Sequence, residues 1–155
     1  MKRIMTFGAL VAVLLLSSCD KYEDGRPSRK VRAEFSAMYP DAKDVEWDRE
    51  RDGWSVSFET GTRPNTVDYE AYFDVDGNWL MTETDVLLSA VPQSVKDALA
   101  ASEEYGTLAF RDNDAEKYDT PSGVFYRFDL TKDGRELEVD VTAEGSVTAA
   151  RYDRF

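Results

Sequence analysis

The sequence predicts an α+β protein, a tandem repeat in which each unit is a helix plus a four-stranded antiparallel sheet. Three observations lead there. Apolar residues recur at helical spacing in two places. Each stripe is followed by short runs that alternate strictly between apolar and polar residues. The two halves of the chain also match one another internally, with "AYFDVDGNW" over "VDVTAEGSV" and "WSVSF" over "VFYRF".

The N-terminus comes before the repeats and has a different purpose. Lys2 and Arg3 precede an apolar run from Ile4 to Leu16. That run suits a signal-peptide core and falls well short of the ~20 residues needed to span a bilayer. Leu16-Ser17-Ser18-Cys19 then resembles the bacterial lipobox, in which the cysteine is lipidated and becomes the first mature residue. Cys19 is the only cysteine of the chain, and lipidation accounts for a lone thiol in an exported protein. Residues 1–18 are therefore expected to be a lipoprotein signal peptide. Residues 19–27, polar and closed by Gly25 and Pro27, are expected to be the lipidated Cys and a flexible tether. The acidic residues just after Cys19 resemble the export signals of surface lipoproteins in Bacteroidetes-type bacteria. The expected location is the cell envelope, as an outer-membrane lipoprotein facing the periplasm or the surface.

The domain is expected to fill residues 28–155. In its first repeat, 28–90, Val31, Phe35 and Met38 form a helical stripe that ends at Tyr39-Pro40, because the residue before proline is pushed out of the helical region. Val45 and Trp47 begin the alternation. Trp54, Val56 and Phe58 continue it, then Val67, Tyr69, Ala71 and Phe73. Asp76-Gly77 turns the chain, and Trp79 opens a fourth strand.

The second repeat, 91–155, starts at Pro92 with the stripe Val95, Ala98 and Leu99. Leu108 and Phe110 suggest a strand. Val124, Tyr126, Phe128 and Leu130 alternate with polar residues and Phe125. After Asp133-Gly134 come Leu137, Val139 and Val141, and Glu144-Gly145 turns into a last strand with Val147 and Ala149. Glu104–Gly123 is expected to be a long acidic loop.

The stretches "VRAEFSAMYPDAKDVEWDRERDGWSVSFE", "YEAYFDVDGNWLMTETDV" and "VPQSVKDAL" resemble the PepSY-like lipoproteins of Bacteroidetes, small exported proteins compared with the beta-lactamase inhibitor protein. Phe35, Tyr39, Pro40, Ala42, Val45, Trp47, Asp74, Gly77, Trp79, Pro92 and Val95 carry the resemblance. It implies sheets joined into one curved surface with the helices on one side. It brings no catalytic residue.

Composition removes many chemistries. The chain has no histidine, and loss of Lys2 and Arg3 moves its net charge from −12 to about −14. Ser-His and Cys-His triads and imidazole–thiolate zinc sites are excluded, and so much negative charge argues against nucleic acid as a partner. "DVDGN" (Asp74–Asn78) reads as a hairpin turn rather than a calcium loop. No cofactor and no metal are expected.

If these apolar residues pack under the helices, the alternate positions form an acidic outer face with aromatics set into it. Its candidate binding residues are Asp68, Glu70, Tyr72, Phe125, Arg127, Glu138 and Asp140. Aromatic and arginine side chains of this kind anchor interfaces. The expected role is a non-enzymatic binding or inhibitory module for a basic protein, a cationic peptide or a wall or glycan component, held on the membrane through its N-terminal lipid. The alternatives are a hydrolase that uses carboxylates alone and a passive structural component of the envelope.

Overall fold

The computed structural model describes residues 21–22 and 25–150, so Cys19 and the signal segment lie outside the described residues. The order of elements is β1 (Lys21–Tyr22), α1 (Arg29–Met38), β2 (Lys43–Arg49), β3 (Gly53–Thr62), β4 (Asn65–Asp74), β5 (Trp79–Leu87), α2 (Gln93–Ala100), β6 (Ala109–Phe110), β7 (Asp114–Thr120), β8 (Gly123–Lys132), β9 (Arg135–Thr142) and β10 (Val147–Ala149).

The expected tandem of helix plus four-stranded units is corrected. The described strands form a single ten-stranded sheet in the order β1-β2-β3-β4-β5-β7-β8-β9-β10, with β6 paired on β8, and it carries two short helices. All of its ladders are antiparallel except β1–β2. The centre of the sheet is the β5–β7 ladder, in which Thr82 to Leu87 face Asp119 to Asp114. Half of that ladder comes from the segment expected to be a loop. In β7 the inward residue Ala115 and the outward residue Tyr118 are both buried, so apolar residues do not alternate there and the strand leaves no period-two signature. β1 also departs from expectation, because it pairs with the sheet inside the stretch read as a tether.

Register shows which side chains share a face. Val56, Ala71, Thr82, Asp119 and Val124 follow one another across β3, β4, β5, β7 and β8. Val56 packs with Val31 and Phe35 of α1, and Val124 packs against the cluster that holds Val95 and Leu99 of α2. Both helices therefore cover the same face. Ser28 caps α1 by accepting from the Val31 N–H, and Tyr39 closes it with an N–H bond to the Phe35 carbonyl. Pro92 precedes α2, where its missing N–H costs nothing.

Between the two cores the covered face is polar. Thr82 and Thr84 are buried. Thr82 Oγ1 accepts from the Trp79 indole at 2.9 Å and shares a 2.5 Å hydrogen bond with the Tyr39 hydroxyl, and Thr84 donates to the Asp68 carbonyl at 2.8 Å. Burial, above all, pushes the Tyr39 hydroxyl up from its ordinary pKa. At Asp74–Asn78 the Asp74 carboxylate accepts from the Asn78 backbone and side-chain amides, and Gly77 takes a φ of 84°. The Asn78 side chain, as the largest cause, holds Asp74 below the usual carboxylate range. No described helix is long and apolar enough to cross a membrane.

Candidate functional site

The face opposite the helices has its own row of register partners: Ser57, Glu70, Glu83, Tyr118, Phe125 and Thr142, from β3 to β9. A second row places Asp85, Glu116, Arg127 and Asp140 side by side, and a third pairs Asp129 with Glu138. Tyr72 lies opposite Ser55 and Met81. All seven predicted site residues occupy this face, in two groups. Asp68, Glu70 and Tyr72 lie on β4, while Phe125, Arg127, Glu138 and Asp140 lie on β8 and β9. The three strand spacings between β4 and β8 separate the groups by about 14 Å.

The β8–β9 group is tightly organised. Arg127 Nε and Nη2 donate to the two oxygens of Asp140 at 2.7 and 3.0 Å, and Nη1 lies 3.6 Å from Glu138. Its guanidinium also sits 5.1 Å from the centre of the Tyr118 ring. Tyr118 stacks on Phe125 with centroids 4.6 Å apart and planes 7° apart, and its hydroxyl donates to Glu116 at 2.6 Å. The Arg127 side chain is only 14% exposed. The Asp140 hydrogen bond, first among the causes, raises its pKa further. Burial and then the Glu116 hydrogen bond push the Tyr118 phenol upward. Nearby Asp129 is raised by burial and then by the negative charges of Glu116, Glu136 and Glu138. Arg127 thus stands among a surplus of carboxylates, and Phe125 is the half-buried ring of the stack.

The β4 group is looser. Asp68 is exposed, Glu70 is half-buried, and Glu70 lies directly opposite Glu83. At the β2 end of the same region Asp44, Glu46, Glu59 and Asp68 line a 370 Å³ depression together with Val45, Ser57, Phe58 and Tyr69. Among the described residues no group of three or more Asp, Glu, Cys or His side chains is placed to hold a metal ion. The sequence reading missed Tyr118, Glu116 and Glu83. Tyr118 and Glu116 lay in the presumed loop, and Glu83 lay on a strand of which only the first residue had been assigned. The one signal for β7 was the tyrosine itself, a buried-type residue inside an acidic run.

Several features now stand together: two helices on one face of a mostly antiparallel sheet, and an acidic opposite face with an arginine–aromatic cluster. Comparison with known proteins places this arrangement. Residues 55–148 match the model of the family described as "putative beta-lactamase-inhibitor-like, PepSY-like", and the chain belongs to that family. Similar crystal structures include a BLIP-like protein from Bacteroides fragilis, with TM-score 0.68 and 18% identity over 84% of this chain and 90% of that one. A DUF2874 family protein from Bacteroides uniformis gives TM-score 0.65 and 21% identity over 83% of this chain and 94% of that one. A protein described as putative periplasmic, from Bacteroides eggerthii, gives TM-score 0.62 and 23% identity over 79% and 86%. Comparison with curated proteins finds no match.

Proposed function

We propose that the protein is an exported lipoprotein, acylated at Cys19 and held in the outer membrane, that acts as a non-enzymatic binding or inhibitory module. Its helix-free face receives a basic segment of a protein or peptide partner. The observation that carries this reading is the Tyr118–Phe125 stack, set among the carboxylates of Glu116, Asp129, Glu138 and Asp140 on a face that neither described helix covers. Stacked rings supply rigid contact area, and the surrounding negative charge selects a cationic partner and speeds its approach. Membership of an inhibitor-like family and similarity to a BLIP-like protein support a module that works by binding. The relative described as periplasmic supports an envelope location.

The test immobilises the segment from Asp20 to Phe155 and exposes it to an envelope extract, beside a variant carrying Asp68→Asn, Glu70→Gln and Phe125→Ala. These positions leave the Arg127–Asp140 pair intact; loss of the Phe125 ring lowers the urea midpoint, so both proteins are first verified as folded by circular dichroism. A salt-sensitive partner held by the native face and lost by the variant is the expected result. Equal retention by both would remove the face from consideration.

A further inference from the structure

Two described stretches that follow Cys19, Lys21–Tyr22 and residues 25–28, are held against the domain. Lys21 and Tyr22 pair in parallel with Glu46 and Trp47 of β2. A Cβ on Gly25 would stand 3.9 Å from the Trp54 ring, Pro27 is buried, and Ser28 caps α1. From Lys21 onward the described stretches of this segment are therefore fastened to the sheet edge or to the face beneath α1. Only Asp20 lies between Cys19 and Lys21, and two steps of extended chain reach at most about 7 Å. The direction of approach is set as well. Because β1 runs parallel to β2, the chain traced backward from Lys21 heads toward Lys43, the end of β2 that lies opposite Glu59 of β3. The tip of the β3–β4 hairpin stands at that same end, with the Arg63 side chain 81% exposed.

We infer that the lipid anchor holds the sheet by one corner against the bilayer, with β1, β2 and the β3–β4 tip at the headgroups and β10 directed away from the membrane. This inference rests on the acylation of Cys19. The short link leaves too little chain for another corner to reach the surface while the acyl chains stay inserted. Laying the acidic face flat would press its whole array of carboxylates against anionic headgroups, whereas at this corner Asp44, Glu59 and Asp68 stand beside Lys43 and Arg63. The β9–β10 turn is the far corner, eight strand spacings or about 38 Å from β1. The face bearing Tyr118 and Phe125 consequently stands upright and open to the side, five to six spacings or ~24–29 Å out from the anchored edge.

Acylated Cys19 has no free thiol, so one introduced cysteine can be labelled alone. The full lipidated protein, purified from membranes, would carry a donor fluorophore at Thr62→Cys or at Glu144→Cys. It would be reconstituted into phosphatidylcholine vesicles that include anionic phosphatidylglycerol and a headgroup-labelled acceptor. Transfer from the Thr62 site should exceed transfer from the Glu144 site about threefold or more, given the ~38 Å between the corners. A Gly-Ser spacer inserted between Cys19 and Asp20 should erase that difference. Equal transfer from the two sites without the spacer would overturn the fixed corner while leaving acylation standing. Failure of the protein to float with vesicles, matching a Cys19→Ala control, would instead remove the acylation reading and the inference with it.

Discussion

Beneath α1 the sheet buries mainly rings, whereas beneath α2 it buries mainly aliphatic side chains. The α1 core joins Phe35, Trp47, Trp54, Phe58 and Phe73 with a few valines, and Phe35 makes edge contacts with Trp47, Phe58 and Phe73 at 5.1–6.3 Å. The α2 core holds Val91, Val95, Leu99, Leu130, Val139 and Val141 around Tyr126 and Phe128. On the outer face the emphasis reverses. Over the α1 core Ser55 and Ser57 stand beside the ring of Tyr72, while on the α2 side Tyr118 and Phe125 stack outward and Arg127 closes over Tyr118. Rings that pack under a helix are explained by burial alone. On the opposite face, which neither described helix covers, Tyr118 is buried instead by Phe125 and Arg127, and that stack is what the proposed partner would meet.

The sharpest way to break this contrast is to remove a ring from the α1 core. Phe35→Ala should cost about 4 kcal/mol and Leu99→Ala about 3, read as shifts of the urea midpoint. A larger loss at Leu99 would mean that the aliphatic core dominates. Next, Arg127→Met should cost about 2 kcal/mol, because Asp140 and Glu138 lose their cation in a half-buried site; partial exposure keeps the cost below that of a fully buried pair. Adding Asp140→Leu should recover much of that loss, and a double-mutant cycle measures the coupling. Tyr118→Phe keeps the ring stack and removes the bond to Glu116, so a loss of about 1 kcal/mol is expected.

The smallest effect has the opposite sign. Asp129 holds its proton more tightly in the folded chain than in the unfolded one, so the unfolded state ionises first as pH rises. Stability therefore declines from the ordinary carboxylate pKa up through the raised folded value, and the penalty persists at neutral pH. Asp129→Asn should gain on the order of 0.5 kcal/mol at pH 7, the scale of a like-charge contact on a sheet. The gain should vanish below about pH 3, where the carboxyl is protonated in both states. Thermal melts at the two pH values would show a pH-independent gain if charge were not the cause.

What the sequence made legible follows from the same physics. Trp54, Val56 and Phe58 bury one face and leave polar partners on the other, so their alternation located β3 and its outward positions. Val31 and Phe35 did the same for α1. Ser55 is the exception, read as an outward polar residue yet buried, with its hydroxyl 3.3 Å from Glu50. β7 was hidden because it buries Ala115 on one face and Tyr118 on the other. β1 was hidden because two residues held by backbone pairing need no apolar pattern. The β5–β7 pairing lies beyond any local pattern, since nothing in either strand names its neighbour, and the tandem expectation failed on that point. The candidate face was accordingly half legible: Phe125, Arg127 and Asp140 could be placed outward, but the ring that stacks on Phe125 could not.

That central ladder also sets an order of events. The β3–β4 and β8–β9 hairpins close over short turns and can form within microseconds. β5 and β7 must wait until the chain from Leu88 to Asn113, helix included, has brought its ends together, an entropic cost that delays non-local pairing. The row from Glu70 through Glu83 to Tyr118 and Phe125 crosses that ladder. A nascent chain can thus assemble each helix on its own strands and already stack Tyr118 on Phe125 within the β7–β8 hairpin, while the row that joins this stack to Glu70 and Glu83 comes into being only with the last zipping step.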